Sequence, residues 1–320
     1  MARIETYVFI DLETSGLPYK ELNKTKITEL SMVAISRKQV LETNPGSMPR
    51  VISKFTKCFN PRRMIDPDST EVTGLCNDLL ENETAFNLNV CNIINSYLEL
   101  FQKPVCLIAQ NGHTFDFPIL KNHFELLNCA LPDDILCADS LNAFYDLEKE
   151  ESANRHRYNG ELASRKRVLD TDNEPSNEAT SVPNYKRKGL DNTHNVDNVK
   201  TSLTKDYVEN DANTTQSMQE QNEKTPQRRT TNQPLERKKK VVRKLFFEND
   251  KRPDKSYKLQ YIYERVLRRP PPEAHMAEND CVMAMEIAIG LGQRFVDWVA
   301  DNHMPFAEVK AMKKGAKVGQ

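Results

Sequence analysis

No apolar run in the 320-residue sequence approaches the roughly 18 residues that a membrane-spanning helix needs, which argues against an integral membrane protein. The first residues, Met1-Ala2-Arg3-Ile4-Glu5, offer neither an apolar h-region nor a cleavage site, so no secretory signal is expected. The seven cysteines are odd in number and include no C-x-x-C pair. That predicts reduced thiols with no disulfides and no zinc site, and a nuclear and/or cytoplasmic location. Glycine is scarce, ten in all, and no Gly-rich loop carrying a Lys is present, which excludes a phosphate-cradling NTPase. Neither sign of charge is in excess, with 45 basic and 46 acidic residues, so net charge points to no partner class.

Apolar residues are unevenly spread. Residues 151–250 hold only 23 of them, against 38% for the whole chain. Such a stretch cannot bury enough surface to fold by itself. The chain therefore reads as one domain formed by residues 1–150 and 253–314 together. A disordered insert at 151–252 splits it, and 315–320 form a tail. Basic clusters mark the insert, notably Arg237-Lys238-Lys239-Lys240-Val241-Val242-Arg243-Lys244. These could grip phosphates, serve nuclear import, or be solvated charge.

Period-2 and compact apolar runs predict strands at Tyr7–Asp11, Ile27–Ile35, Arg50–Phe59, Val105–Ala109 and Ile135–Ala138. Helical spacing covers Ala85–Phe101, Phe115–Leu127, a segment around Leu259–Leu267 halted by Pro270-Pro271-Pro272, Ala277–Leu291, and a last one with Phe295 and Trp298. The fold class is α/β, a mixed five-stranded sheet flanked by helices.

Four acids and one histidine could carry chemistry. Asp11 and Glu13, two apart on a strand, point to one face, and carboxylates this close repel unless a hard cation joins them. Asp116 falls after Asn111-Gly112, beyond the end of a strand. His275 lies in the loop before a helix that carries Asp280 in its first turns. Each has a plain alternative: a solvated strand end, an acid favouring a helix dipole, a surface-loop histidine.

The order Asp-x-Glu, Asp, His-x4-Asp resembles the DEDDh branch of 3′→5′ exonucleases, which have a ribonuclease H-like fold. The segments Phe9-Ile10-Asp11-Leu12-Glu13-Thr14-Ser15-Gly16-Leu17-Pro18, Glu71-Val72-Thr73-Gly74-Leu75, Asn111-Gly112, Phe115-Asp116-Phe117-Pro118, Lys255-Ser256-Tyr257-Lys258-Leu259 and His275-Met276-Ala277-Glu278-Asn279-Asp280 resemble the three-prime repair exonuclease (TREX) family. The resemblance covers about residues 4–147 and 255–312. It implies two-metal hydrolysis with Mg²⁺, or Mn²⁺ in its place, held by Asp11, Glu13, Asp116 and Asp280, and His275 as general base. It implies release of 5′-mononucleotides from single-stranded or frayed 3′ ends of DNA. Substrate contacts are implied for Glu13, Thr14, Gly16, Leu17, Val72, Gln110, Asn111, Phe115 and His275, with Leu17 and Val72 as wedges between terminal bases. Phosphate contacts fall to Lys238, Lys239, Lys240, Arg243 and Lys244. A homodimer formed through an edge strand near Arg50–Phe59 is implied too, and the lack of a C-terminal apolar anchor sets the chain apart from the membrane-anchored member. Phe115, where the family usually has Tyr, and His113, where an acid is usual, are departures. An RNA 3′-end exonuclease and a binding protein with weakened catalysis are the rival readings.

Overall fold

The computed structural model describes residues 3–171, 255–313 and 315. Its elements are β1 (Thr6–Thr14), β2 (Ile27–Ser36), α1 (Arg37–Glu42), β3 (Ser53–Cys58), α2 (Pro67–Thr73), α3 (Leu88–Glu99), β4 (Val105–Ala109), α4 (Asp116–Leu126), β5 (Leu136–Asp139), α5 (Ser140–Thr171), α6 (Leu259–Leu267), α7 (Ala277–Leu291), α8 (Gln293–Asn302) and β6 (Met304–Pro305). Two compact units result. One joins Met1–Glu151 to Gln216–Gln320; the other is Ser152–Thr215, whose described residues are helical.

In the first unit the strands form one sheet in the order β3-β2-β1-β4-β5-β6. β1, β2 and β3 are an antiparallel meander, whereas β4 and β5 run parallel to β1. Alternation along β1 explains the two layers of helices. Val8, Ile10 and Leu12 face one apolar core with Ile94 and Leu98 of α3 and Ile119 and Phe124 of α4. Tyr7 and Phe9 face a second core with Cys281 and Met285 of α7 and Phe295 of α8. Burying both faces is what a sheet with parallel strands requires. The architecture is α/β, a mixed sheet covered by helices on both faces.

The sheet has six strands where five were expected. β6 is only two residues long, pairs with β5, and contains Pro305, which cannot donate to a ladder, so no periodic signal marks it. α2 was likewise absent from the periodic reading, although its cap signals were present. Asp66 accepts the amide of Asp68, Pro67 opens the helix, and Gly74 closes it at φ +72°. α5 runs past residue 150 to Thr171, so the start of the apolar-poor stretch is helical. The rest of that stretch, with Lys238, Lys239, Lys240, Arg243 and Lys244, lies outside the described residues. Among the described residues no helix is long and apolar enough to cross a membrane.

Candidate active site

β1 delivers the first two acids. Asp11 and Glu13 continue the face that begins with Tyr7 and Phe9, the face covered by α7. α7 crosses there and presents Asp280 from its first turn. One carboxylate oxygen each of Asp11, Glu13 and Asp280 lie within 4.8 Å of one another, although about 270 residues separate the first from the last. Asp116 arrives from the helix that follows the next strand. β1 pairs with β4 only through Phe9, so the amide of Leu12 is left open on that side. Asp116, at the start of α4, takes it through Oδ1 at 3.1 Å.

Burial dominates the electrostatics. Asp116 is pushed up to about 8, first by burial and then by Asp139 and Asp280, against the lowering effect of backbone amides. Asp280 is pushed up to about 7, again mainly by burial. Burial and then Asp280, Asp116, Glu13 and Glu29 hold Asp11 well above the usual carboxylate range. Its Oδ2 is buried and has no hydrogen-bond partner. A hard, all-oxygen donor set with an orphaned buried oxygen fits a divalent cation such as Mg²⁺.

His275 sits in the turn before α7 with a left-handed backbone, φ +72°. Its amide donates to Asp280 Oδ2 at 3.2 Å. Its Nδ1 is buried without a partner, and burial together with Lys258 lowers its pKa, so the ring is neutral at pH 7.

The other expected contact residues divide. Gln110 donates to the carbonyl of Tyr257 at 3.2 Å and accepts from Ser140 at 2.9 Å, which locks its amide. Asn111 is buried with φ +58°. Thr14 donates to the carbonyl of Gly16 at 3.2 Å. A Cβ at Gly16 would meet Glu21 Cδ at 2.7 Å, so this turn needs glycine. Val72 is half-buried on α2. Leu17 lies deeper. At 2% exposure it belongs to the apolar core, so in this conformation it presents no wedge. Phe115 is also core-packed, at 7%.

Sequence reasoning missed two further acids. Asp139 ends β5 and accepts the amides of Asn111 at 3.0 Å, His113 at 3.2 Å and Leu141 at 3.0 Å, which fixes the turn leading to Asp116. Its position at the end of a parallel strand, like that of Asp11, was the available signal. Glu29 on β2 lies opposite Glu13 in the ladder, and nothing about it stood out in the sequence.

Residues 8–165 match the Exonuclease (RNase_T) family. Three prime repair exonuclease 2 of Mus musculus is 36% identical over 47% of this chain and 65% of its own length. Three-prime repair exonuclease 1 of Bos taurus is 35% identical over 48% of this chain and 51% of its own. The chain thus spans between half and two thirds of the length of these two relatives. Among solved structures, cell-death related nuclease 4 aligns with 90% of this chain and 64% of its own at a TM-score of 0.45 and 11% identity. His275 and Asp280 lie beyond the family match, and it is the fold that returns Asp280 to Asp11 and Glu13, with His275 bonded to Asp280.

Proposed function

We propose that the protein is a metal-dependent 3′→5′ DNA exonuclease that releases 5′-mononucleotides from single-stranded or frayed 3′ ends. The observation that carries the reading is the convergence of Asp11, Glu13 and Asp280 within 4.8 Å, beside a neutral His275. Asp11, Glu13 and Asp280 would hold Mg²⁺, with Mn²⁺ as a substitute, and Asp116 would complete a two-ion site. Bound divalent ions supply charge neutralisation and orient the attacking and leaving oxygens. The chain does the rest. His275 accepts the proton of the attacking water on a ring nitrogen, which its lowered pKa permits near neutrality. The Thr14–Gly16 turn, Val72, Gln110 and Asn111 hold the terminal nucleotide, and the buried wall around Asp11 excludes bulk water. β3 is an edge strand with open backbone groups, which supports a homodimer through it. A nuclear and/or cytoplasmic setting suits its free cysteines.

Digestion of 5′-labelled single-stranded DNA and the matched RNA, with Mg²⁺ or EDTA, tests the reading. The expected result is a metal-dependent one-nucleotide ladder on DNA that His275→Ala abolishes. A ladder on RNA alone would move the protein to RNA processing. Binding without cleavage of either would leave a nucleic-acid binding protein and end the catalytic reading.

A further inference from the structure

α7 carries Asp280 and follows His275, yet it has no side-chain cap of its own. Its N-cap residue is Met276, which makes no capping bond. A helix end leaves its first amides without partners unless something else takes them. Here the sheet supplies the partner. Glu29 of β2 accepts the amide of Ala277 through Oε2 at 3.2 Å. A carboxylate at a helix N-terminus also suits the helix dipole. Glu29 stands opposite Glu13 across the β1–β2 ladder, so the cap and one cation-binding acid are rigid neighbours.

A second grip lies one residue further on. Glu278 accepts from Lys54 Nζ at 2.8 Å and from the Thr56 hydroxyl at 2.9 Å, both on β3. Between these grips and Asp280, which takes the amide of His275, the turn 275–280 is held from three sides. The left-handed backbone of His275 needs such support. For a residue other than glycine it is unfavourable and persists only where the surroundings enforce it.

We propose that Glu29 is a positioning residue that caps α7 from the sheet and, with the Lys54–Thr56–Glu278 clamp, sets His275 and Asp280 against Asp11 and Glu13. What the positioned groups do rests on the exonuclease reading; the capping geometry does not.

The test compares Glu29→Ala with Glu29→Gln. The glutamine keeps a carbonyl oxygen for the Ala277 amide and removes only the charge. Glu29→Ala should lower kcat on single-stranded DNA about tenfold or more with KM within about twofold, because a small misplacement of reacting groups is costly. Glu29→Gln should recover kcat to within about threefold of the parent. Amide hydrogen exchange of segment 275–280, read without metal or substrate, should quicken in Glu29→Ala and stay slow in Glu29→Gln. Parent-like kcat and exchange in Glu29→Ala would overturn the proposal. So would a Glu29→Gln variant as impaired as Glu29→Ala, since charge and not capping would then matter. If Glu29→Ala does not fold, the surface pair Thr56→Val with Glu278→Ala decides: about threefold lower kcat and faster exchange support the clamp, and no change in either refutes it. Should the parent cleave nothing, the exonuclease reading fails, and exchange alone still settles the cap.

Discussion

Glu286 and Asp116 are buried to similar depth, 5% and 2% exposed, and the fold treats them in opposite ways. Glu286 on α7 is met by a cation and a hydroxyl. Arg269 Nη2 lies 2.6 Å from Oε1, and the Tyr263 hydroxyl donates to Oε2 at 2.6 Å. Arg269 also reaches the carbonyl of Gly46, so the pair ties the loop after α1 to α6 and α7. Asp116 and Asp280 receive only backbone amides, and among the described residues no Lys or Arg side chain forms an ion pair with them or with Asp11. Both knots use α7, so the helix itself does not make the difference. The fold can place an arginine beside a buried acid where that acid is structural. Around Asp11 it gathers acids and withholds the counter-charge, which is what a site for an external cation requires.

The largest expected effect is on activity. Asp11→Asn should cut the rate of 3′-end hydrolysis by at least about a thousandfold, the scale seen when one member of a catalytic unit is removed. The same variant should melt higher than the parent in EDTA at pH 8, because it removes a buried repelling charge. Glu286→Ala should do the reverse. It leaves the Tyr263 hydroxyl and Arg269 without their acceptor and should lower stability by about 2 kcal/mol, the usual figure for breaking a buried pair being discounted for the half-exposed guanidinium. Thermal melts and cleavage rates on both variants check the contrast; a destabilised Asp11→Asn would break it.

A pH titration sharpens the contrast further. Asp280 and Asp116 carry folded pKa values of about 7 and about 8 against 3.8 for an unperturbed Asp. Protons are therefore bound more tightly in the folded state. Their contribution is complete below about pH 4 and is lost as pH rises through 7 to 8. His123, pushed down to about 4 by burial, acts with the opposite sign below its ordinary 6.5. The window to read is thus above pH 6.5. In EDTA the melting midpoint should fall by several degrees from pH 6.5 to 8.5, and Mg²⁺ should restore it. A midpoint flat with pH and indifferent to Mg²⁺ would mean that these carboxylates hold no cation.

Legibility in the sequence follows the same division. The candidate acids were readable because they lie near the ends of apolar runs or in the first turn of a helix, where local signals are clear: Asp11 closes an apolar run, Asp116 opens α4, and Asp280 follows the triple proline after α6. The meander and the parallel β4 and β5 were readable from alternation and compact apolar runs. Long-range satisfaction was not. Glu29 and Asp139 act on amides 248 and 26–28 residues away; nothing local marks Glu29, and only its place at the end of β5 marks Asp139. The burial of Leu17 was hidden for a related reason. A Leu in a Gly-Leu-Pro turn reads as exposed, and only tertiary packing brings it into the core.

Asp139 is the intermediate case, a buried acid served by three backbone amides and no lysine or arginine, and it gives the smallest effect. Oδ1 accepts from Asn111 and Leu141, while Oδ2 accepts from His113. Asparagine in the same rotamer keeps the first two bonds through its oxygen. Its amide group would then oppose the amide of His113, donor against donor. One bond is lost and the turn 111–114 loosens by one anchor, a cost of about 1 kcal/mol, or about 3 °C in a domain of this size. Because that turn leads into Asp116, Asp139→Asn should also weaken Mg²⁺ dependence modestly, raising the half-saturating Mg²⁺ concentration about threefold while leaving the Asp11 pair intact. A variant that loses stability with unchanged Mg²⁺ dependence would show Asp139 to be structural like Glu286, and would confine the cation site to Asp11, Glu13 and Asp280.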